Sequence, residues 1–215
     1  MYVPAHFAVT DPQLMHSIVR RHPLGLLITQ HAGELYTTHL PFLLHAGDSA
    51  HGRLEAHLAR ANTHCEALLA GAASVAVFRG PDTYVSPRWY SDPSRNVPTW
   101  NYVAVHAHGT PQAIDDPRRI LEIAGRLTDE HEAYIDTPWK VDDARDYAQK
   151  LATQVLAFEM EISRLEGKFK LSQNRAPQDR AGLMQAFSQS RRDQDAELLE
   201  LMQTLYDDDG NIRCS

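Results

Sequence analysis

The chain has little cysteine, no long apolar run and no excess of positive charge, and each shortage closes off a class of function. Its two cysteines, Cys65 and Cys214, lie far apart, match no metal or redox spacing and read as free thiols, so no disulfide scaffold or thiolate metal site is expected. No apolar stretch approaches the ~18 residues of a membrane-spanning helix. Met1 to Phe7 lack the basic and apolar segments of a secretory signal, so a cytoplasmic protein without a membrane partner is expected. Lysine and arginine number 21 against 28 aspartates and glutamates, a formal net charge of −7. That balance argues against a protein whose main task is neutralising phosphates. There is no internal repeat and no low-complexity segment. What remains is an ordinary globular composition, 215 residues with 43% hydrophobic, long enough to bury a core without staples. The unusual feature is histidine, 12 in all, concentrated before Gly109.

Hydrophobic periodicity predicts mostly strands with short helices between them. Asp11-Pro12 caps a helix that Pro23 stops. Leu24 to Thr29 reads as a strand, His31-Ala32-Gly33 as its turn, and Leu35 to His45 as the next strand. Leu54, Ala56 and Leu58 alternate with Arg53, Glu55 and His57, giving one apolar and one polar face. Asn62 and Gly71 bracket a short helix. Ala73 to Phe78 is a strand, and Trp100 to Ile114 a longer one with a bulge at Gly109. Asp116-Pro117 opens a helix. A second helix runs to about Thr153 and a strand from there to about Leu165. The tail, Gln178 to Tyr206, is helical by composition. Strands in succession are unlike the alternation of a parallel doubly wound sheet. The expectation is a mainly β, α+β fold, an antiparallel barrel with a helical C-terminal tail. The domain is placed at 1–175 and the extension, packed on the barrel, at 176–215.

Two segments carry candidate chemistry. Gly80 to Pro98 has four prolines with Tyr84, Trp89 and Tyr90, too aromatic for a disordered linker, and reads as a loop packed over a pocket or a partner subunit. Lys168, Lys170, Ser172 and Arg175, with the amides of Gln173 and Asn174, end a strand with donors suited to a phosphate or a heterocycle edge; a solvated basic turn explains the same spacing. Arg164 to Arg192 is basic and Asp193 to Asp209 acidic. His106 and His108 share a strand face, but with no third ligand in view no metal site is assigned.

Six segments together resemble the PaiB family, described as FMN-binding negative transcriptional regulators. They are Met1 to Phe7, Thr38-His39-Leu40-Pro41-Phe42, His57-Leu58-Ala59-Arg60-Ala61-Asn62, Ser86-Pro87-Arg88-Trp89-Tyr90, Val97-Pro98-Thr99-Trp100-Asn101-Tyr102 and Gly167 to Asn174. The resemblance spans residues 1 to about 175 in the family's order and does not cover the acidic tail. Thr63 stands where the family's Asn-Pro-His version has proline.

The resemblance implies a split β-barrel homodimer with FMN at the subunit interface. By similarity the strand Thr37-Thr38-His39-Leu40 runs along the flavin ring. His57, Arg60 and Asn62 meet the phosphate near a helix start. Ser86, Thr99 and Asn101, with Lys170, Ser172 and Gln173, close the site, some from the other subunit. Of the histidines, His39 and His57 are the better functional candidates, while His16, His22, His31, His45, His51 and His131 read as surface or cap residues. The function implied is a flavin-dependent oxidoreductase or redox-sensing regulator acting on a small-molecule substrate or electron donor. No nucleophile–base pair is evident, so any catalysis would be the flavin's own. The alternatives are a DNA-binding repressor, for which Arg164 to Arg192 is the one footprint, and a haem-binding or haem-degrading split barrel.

Overall fold

A computed structural model of the chain describes residues 1–47 and 49–206. Among them are ten strands and six α-helices. In chain order these are β1 (Ala8–Val9), α1 (Pro12–Arg21), β2 (Leu24–His31), β3 (Glu34–Pro41), β4 (Leu43–His45), β5 (Arg53–Ala59), α2 (His64–Leu69), β6 (Ser74–Val85), β7 (Thr99–Gly109), β8 (Gln112–Ile114), α3 (Pro117–Glu132), α4 (Arg145–Ala152), β9 (Val155–Glu161), β10 (Arg164–Lys170), α5 (Pro177–Ser188) and α6 (Asp193–Leu205). The fold class is the expected one, antiparallel sheet with helices. Two compact units share the chain. One comprises Met1–Met15, Arg79–Val105 and the described part of Glu166–Ser215; the other comprises His16–Phe78 and His106–Leu165. Strands β6, β7 and β10 each contribute residues to both.

In the second unit, β2 and β3 form a hairpin paired from Leu24↔Pro41 to His31↔Glu34. Ala32 (φ 50°) and Gly33 (φ 85°) are both left-handed, as a two-residue hairpin turn of the I′ type requires. On its other edge β2 pairs with Ser74 to Val77 of β6. A second sheet runs β4-β5-β9-β8, with β5 and β9 paired over their whole length. Phe42 meets Phe78 at 5.3 Å and Phe158 at 6.2 Å between ring centroids, both edge-to-face. Gly25 makes room for this cluster, because a Cβ there would lie 2.8 Å from the Phe78 ring. Each fully buried Phe contributes roughly 1.5–3 kcal/mol. Helix α3 lays Ile120, Ile123 and Leu127 against Leu43, Ala152 and Ala157.

Three expectations need correction here. Leu35 to His45 is two strands in different sheets: Pro41 supplies no N–H, and the Phe42 N–H turns away to donate to Pro23 O at 2.9 Å. Trp100 to Ile114 likewise breaks at Thr110 and Pro111, and Gly109 ends β7 rather than bulging it. Its need for glycine is steric, since a Cβ would overlap the Glu161 carbonyl oxygen. The strand expected to reach Leu165 stops at Glu161, and β10 begins at Arg164. The polar face of β5 is present as expected and is covered by α3, so that Glu55 is 1% exposed.

In the first unit the sheet order is β1-β10-β7-β6, and β1 pairs Ala8↔Lys168 and Val9↔Gly167. Its buried side chains include Phe7, Val85, Phe169, Leu171, Leu183, Phe187, Leu198 and Met202. The segment read as a loop is shorter than expected. β6 runs on to Val85, and single 3-10 turns follow at Pro87–Trp89 and Pro93–Arg95. Those turns pack on the chain's own tail helix. Trp89 meets Phe187 edge-to-face at 5.9 Å, Ser91 donates from both its N–H and its hydroxyl to Asp179, and Gly182 lets α5 approach the Trp89 carbonyl oxygen. Tyr206 donates to Leu171 O at 2.9 Å. No helix among the described residues is long and apolar enough to cross a membrane.

Candidate functional site

In the first unit, the end of β10 and the start of β7 build a small polar pocket of about 110 Å³. Phe7, Thr99, Asn101, Lys170, Ser172, Asn174 and Arg175 line it; no carboxylate is among them. Strand alternation explains part of this, since Thr99 and Asn101 stand two apart on β7. Lys170 Nζ donates to Thr99 Oγ1 at 2.6 Å and to Trp100 O at 2.5 Å. Its ammonium is half-buried, and burial, together with the nearby charges of Lys168 and Arg175, pushes its pKa down. The pocket is therefore electropositive.

Ser172, at φ 67°, is a non-glycine residue in the left-handed region, a strained conformation that recurs at binding sites. Its hydroxyl donates to Asn101 Oδ1 at 3.1 Å. Asn101 is 1% exposed, and its Nδ2 is buried with no hydrogen-bond partner. A buried donor left unmet is unfavourable, so the pocket presents an amide N–H as well as cations. Arg175 is held by Asn96 Oδ1 at 2.8 Å and lies over the Tyr90 ring, 4.9 Å from its centroid.

The second unit carries a chain of hydroxyls running through His64. Thr38 Oγ1 and Thr29 Oγ1 each lie 2.8 Å from a His64 ring nitrogen, Nδ1 and Nε2 respectively. Thr29 lies 2.6 Å from Ser74 Oγ, and Ser74 donates to Ala72 O. Each hydroxyl has one proton, so the direction is fixed. Ser74 gives its proton to the carbonyl, Thr29 gives to Ser74, His64 Nε2–H gives to Thr29, and Thr38 gives to His64 Nδ1. Asn62 Nδ2 donates to Thr38 at 3.3 Å, while Asn62 Oδ1 accepts from the His64 N–H at 2.9 Å. Asn62 thus braces the start of α2, as expected, one residue before the helix's own cap.

Burial pushes the His64 pKa down, in keeping with a neutral ring. A base with a depressed folded-state pKa binds fewer protons folded than unfolded, so its stabilisation is full above pH ~6.5 and lost as pH falls below it. His57, also pushed down by burial, adds to the same slope. The His64→Leu variant is expected to lose roughly 2–3 kcal/mol at pH 7.5, through hydroxyls left unmet, and to show a shallower loss between pH 7.5 and 5.5. Urea unfolding at both pH values checks this, and an unchanged slope would remove His64 from the account.

The remaining expected residues are more scattered. Thr37 and His39 are exposed on β3 while Leu40 is buried. The Arg60 guanidinium is taken by the Asp115 carboxylate and by Val155 O. His57 faces α3 and α4 and lines a cavity there. Ser86 caps a 3-10 turn, accepting from the Arg88 N–H, and does not line the polar pocket. Gln173 braces its own turn, donating to Phe169 O and accepting from the Leu171 N–H. The structure thus brings Thr99, Asn101, Lys170 and Ser172 together, and separately Thr38 with Asn62. His108 Nδ1 accepts a hydrogen bond from an Arg164 guanidinium nitrogen at 3.1 Å. His16 and His45 are not surface residues: His16 Nε2 lies 2.9 Å from His51 O, and His45 Nε2 lies 3.0 Å from Glu55 Oε2. Cys65 is free and buried; Cys214 lies outside the described residues. The sequence left Thr29, Ser74 and His64 out of the site, although the last stands two residues after Asn62.

Residues 1–164 match a family model described as "Putative FMN-binding domain". The chain is 28% identical over 205 residues to the Bacillus subtilis protein named "Protease synthase and sporulation protein PAI 2", covering 94% of this chain and 97% of that one. Among solved structures, the FAD and heme binding protein of Mycobacterium smegmatis superposes with a TM-score of 0.59 at 17% identity, over 76% of this chain and 73% of its own. The flavocytochrome Anf3 of Azotobacter vinelandii gives 0.56, also at 17%, over 78% and 72%. These neighbours share the split-barrel fold.

Proposed function

The chain belongs to the FMN-binding domain family, on the PaiB branch, and we propose that it is a flavin-dependent redox protein that works as a homodimer. The observation that carries this is the polar pocket around Lys170. Its donor set suits a phosphate: two cations and the unmet Asn101 amide, whose Oδ1 is held by the Ser172 hydroxyl, with no carboxylate in the lining. At about 110 Å³ it has room for a phosphate group and not for a ring system. We assign Lys170, Asn101 and Arg175 to the FMN phosphate, with Thr99 orienting the Lys170 ammonium and Ser172 orienting the Asn101 amide. When bound, FMN supplies hydride or electron transfer; the protein's share is to hold and orient it and to admit a small substrate or electron donor.

Homodimerisation is supported by β3, an end strand of its sheet with Leu35, Thr37 and His39 exposed, a strand edge open to a second copy. A DNA-binding role draws less support. In the basic run, Arg180 is buried over the Tyr206 ring and offers no free phosphate-binding face.

Purified protein is expected to be yellow, or to take up added FMN, with a visible band bleached by dithionite. A colourless protein that neither retains nor takes up FMN overturns the proposal. A Soret band on adding haem would favour the haem alternative, and light scattering measures the dimer.

A further inference from the structure

Helices α3 and α4 and the 3-10 turn at Val141–Ala144 enclose a second pocket, of about 510 Å³, floored by His57 of β5 and Val155 of β9. All of it lies within the second unit. Its size falls in the range of small-molecule sites, and its character is opposite to that of the Lys170 pocket. The deep wall is Ile120, Leu127, Ala152 and Val155, and no lysine or arginine lines any part of it.

Four polar side chains reach it: His57, Thr128, His131 and Glu132. The Thr128 hydroxyl gives its proton to Ala124 O at 2.8 Å and so offers acceptor capacity only. The Glu132 carboxylate accepts from the Trp139 backbone N–H at 2.8 Å, which holds the half-exposed indole at the mouth. His57 Nδ1 is buried and has no hydrogen-bond partner, while burial keeps the ring neutral by pushing its pKa down.

We propose that this pocket binds a neutral, mainly apolar alcohol or phenol, its hydroxyl on His57 Nδ1 and its body against the Ile120–Leu127 face of α3. Neutrality follows from the lining. An anion would meet Glu132 and neither lysine nor arginine, and a cation, though drawn to Glu132, would leave water for an apolar deep wall and an uncharged His57 imidazole. A hydroxyl follows from the orphan nitrogen, because it can donate to Nδ1 or accept from it, whichever tautomer the ring holds. The phosphate of a flavin has no place here, so the pocket is a site separate from the one proposed for FMN.

The test is calorimetric titration of the full chain at pH 7.5 with 2-naphthol, and with naphthalene-2-sulfonate as its anionic counterpart. Binding of 2-naphthol in the micromolar range is expected, with the sulfonate at least ~10-fold weaker. Ala124→Trp, which fills the pocket from α3, is expected to weaken 2-naphthol at least ~10-fold and to leave FMN uptake unchanged; His57→Phe, which keeps the ring and removes the nitrogen, should weaken it roughly fivefold. Absent binding, equal binding of the sulfonate, or binding undiminished in Ala124→Trp overturns the proposal. Should Ala124→Trp fail to fold, the wild-type Trp139 indole N–H resonance decides: a shift on adding 2-naphthol supports the site, and an unmoved resonance overturns it.

Discussion

Glu55→Ala is expected to lower the unfolding free energy by about 3–5 kcal/mol at pH 7, the usual result of breaking a buried ionic network from one side. Glu55 is 1% exposed on β5. Arg126 of α3 reaches it with Nε at 3.0 Å and Nη2 at 2.9 Å, Arg53 donates at 2.7 Å, and His45 Nε2 stands 3.0 Å away. Removing the carboxylate takes from Arg126 the partner that ties it to β5 and leaves Arg53 with Glu159, 3.6 Å away. Burial by itself would push the Glu55 pKa up, but the hydrogen bonds from Arg126, Arg53 and His45 outweigh it and hold the value at about 2.

The sign is that of a carboxylate with a depressed folded-state pKa. Its stabilisation is complete above the unfolded value, ~4.3, and is lost as pH falls toward 2. Wild-type protein should therefore lose about 3 kcal/mol through that window which Glu55→Ala no longer has to lose. Urea unfolding at pH 7 measures the first effect, and the change from pH 7 to pH 3 captures about half of the second. Equal midpoints for the two proteins at pH 7 would show that Arg126 and Arg53 are solvated in the variant and that the network does not brace α3. A cycle with Arg126→Met separates the pair from the general effect of the charge.

That network shows where sequence reading stops. Period-2 alternation placed Arg53, Glu55 and His57 correctly on one face of β5, yet alternation says nothing of what lies over that face. The cover comes from α3, whose Arg126 is 71 residues away. Elements with local punctuation were legible: α1 and α3 from their Asp-Pro starts, the β2–β3 turn from Ala32-Gly33, α2 from Asn62 and Gly71. The misread boundaries share one cause. Leu35 to His45 and Trp100 to Ile114 stay apolar across their breaks, and the change of sheet at Phe42 and after Gly109 is a tertiary event. In β6 it is Pro81 that masks the strand. β2 pairs only as far as Val77, so beyond it one edge of β6 has no β2 neighbour and Pro81 removes no bond to that strand. At the site, residue types and motifs were legible and pairings were not. Arg60 gives no sign in the sequence that Asp115 will take it.

Lys170→Ala is expected to weaken FMN binding by ~10–100-fold, the size of a charge-assisted hydrogen bond lost from an otherwise intact phosphate site. Lys168 and Arg175 both push on the Lys170 ammonium, and a phosphate dianion would relieve that repulsion. The variant removes the central cation while leaving Ser172, Asn101 and Arg175 in place, so a remnant affinity should persist. Lys170→Ala combined with Ser172→Ala should take most of it away. Riboflavin, which has the ring and lacks the phosphate, identifies what the ammonium touches. If it meets the phosphate, wild type should bind riboflavin at least ~10-fold more weakly than FMN, and Lys170→Ala should leave the riboflavin affinity where it was. If it meets the ring edge, riboflavin and FMN should weaken in parallel, and the phosphate must be sought elsewhere. Fluorescence titration with the two flavins on the two proteins gives all four constants. High salt adds a check, because screening reduces FMN affinity in wild type more steeply than in Lys170→Ala only where a charge pair has been lost.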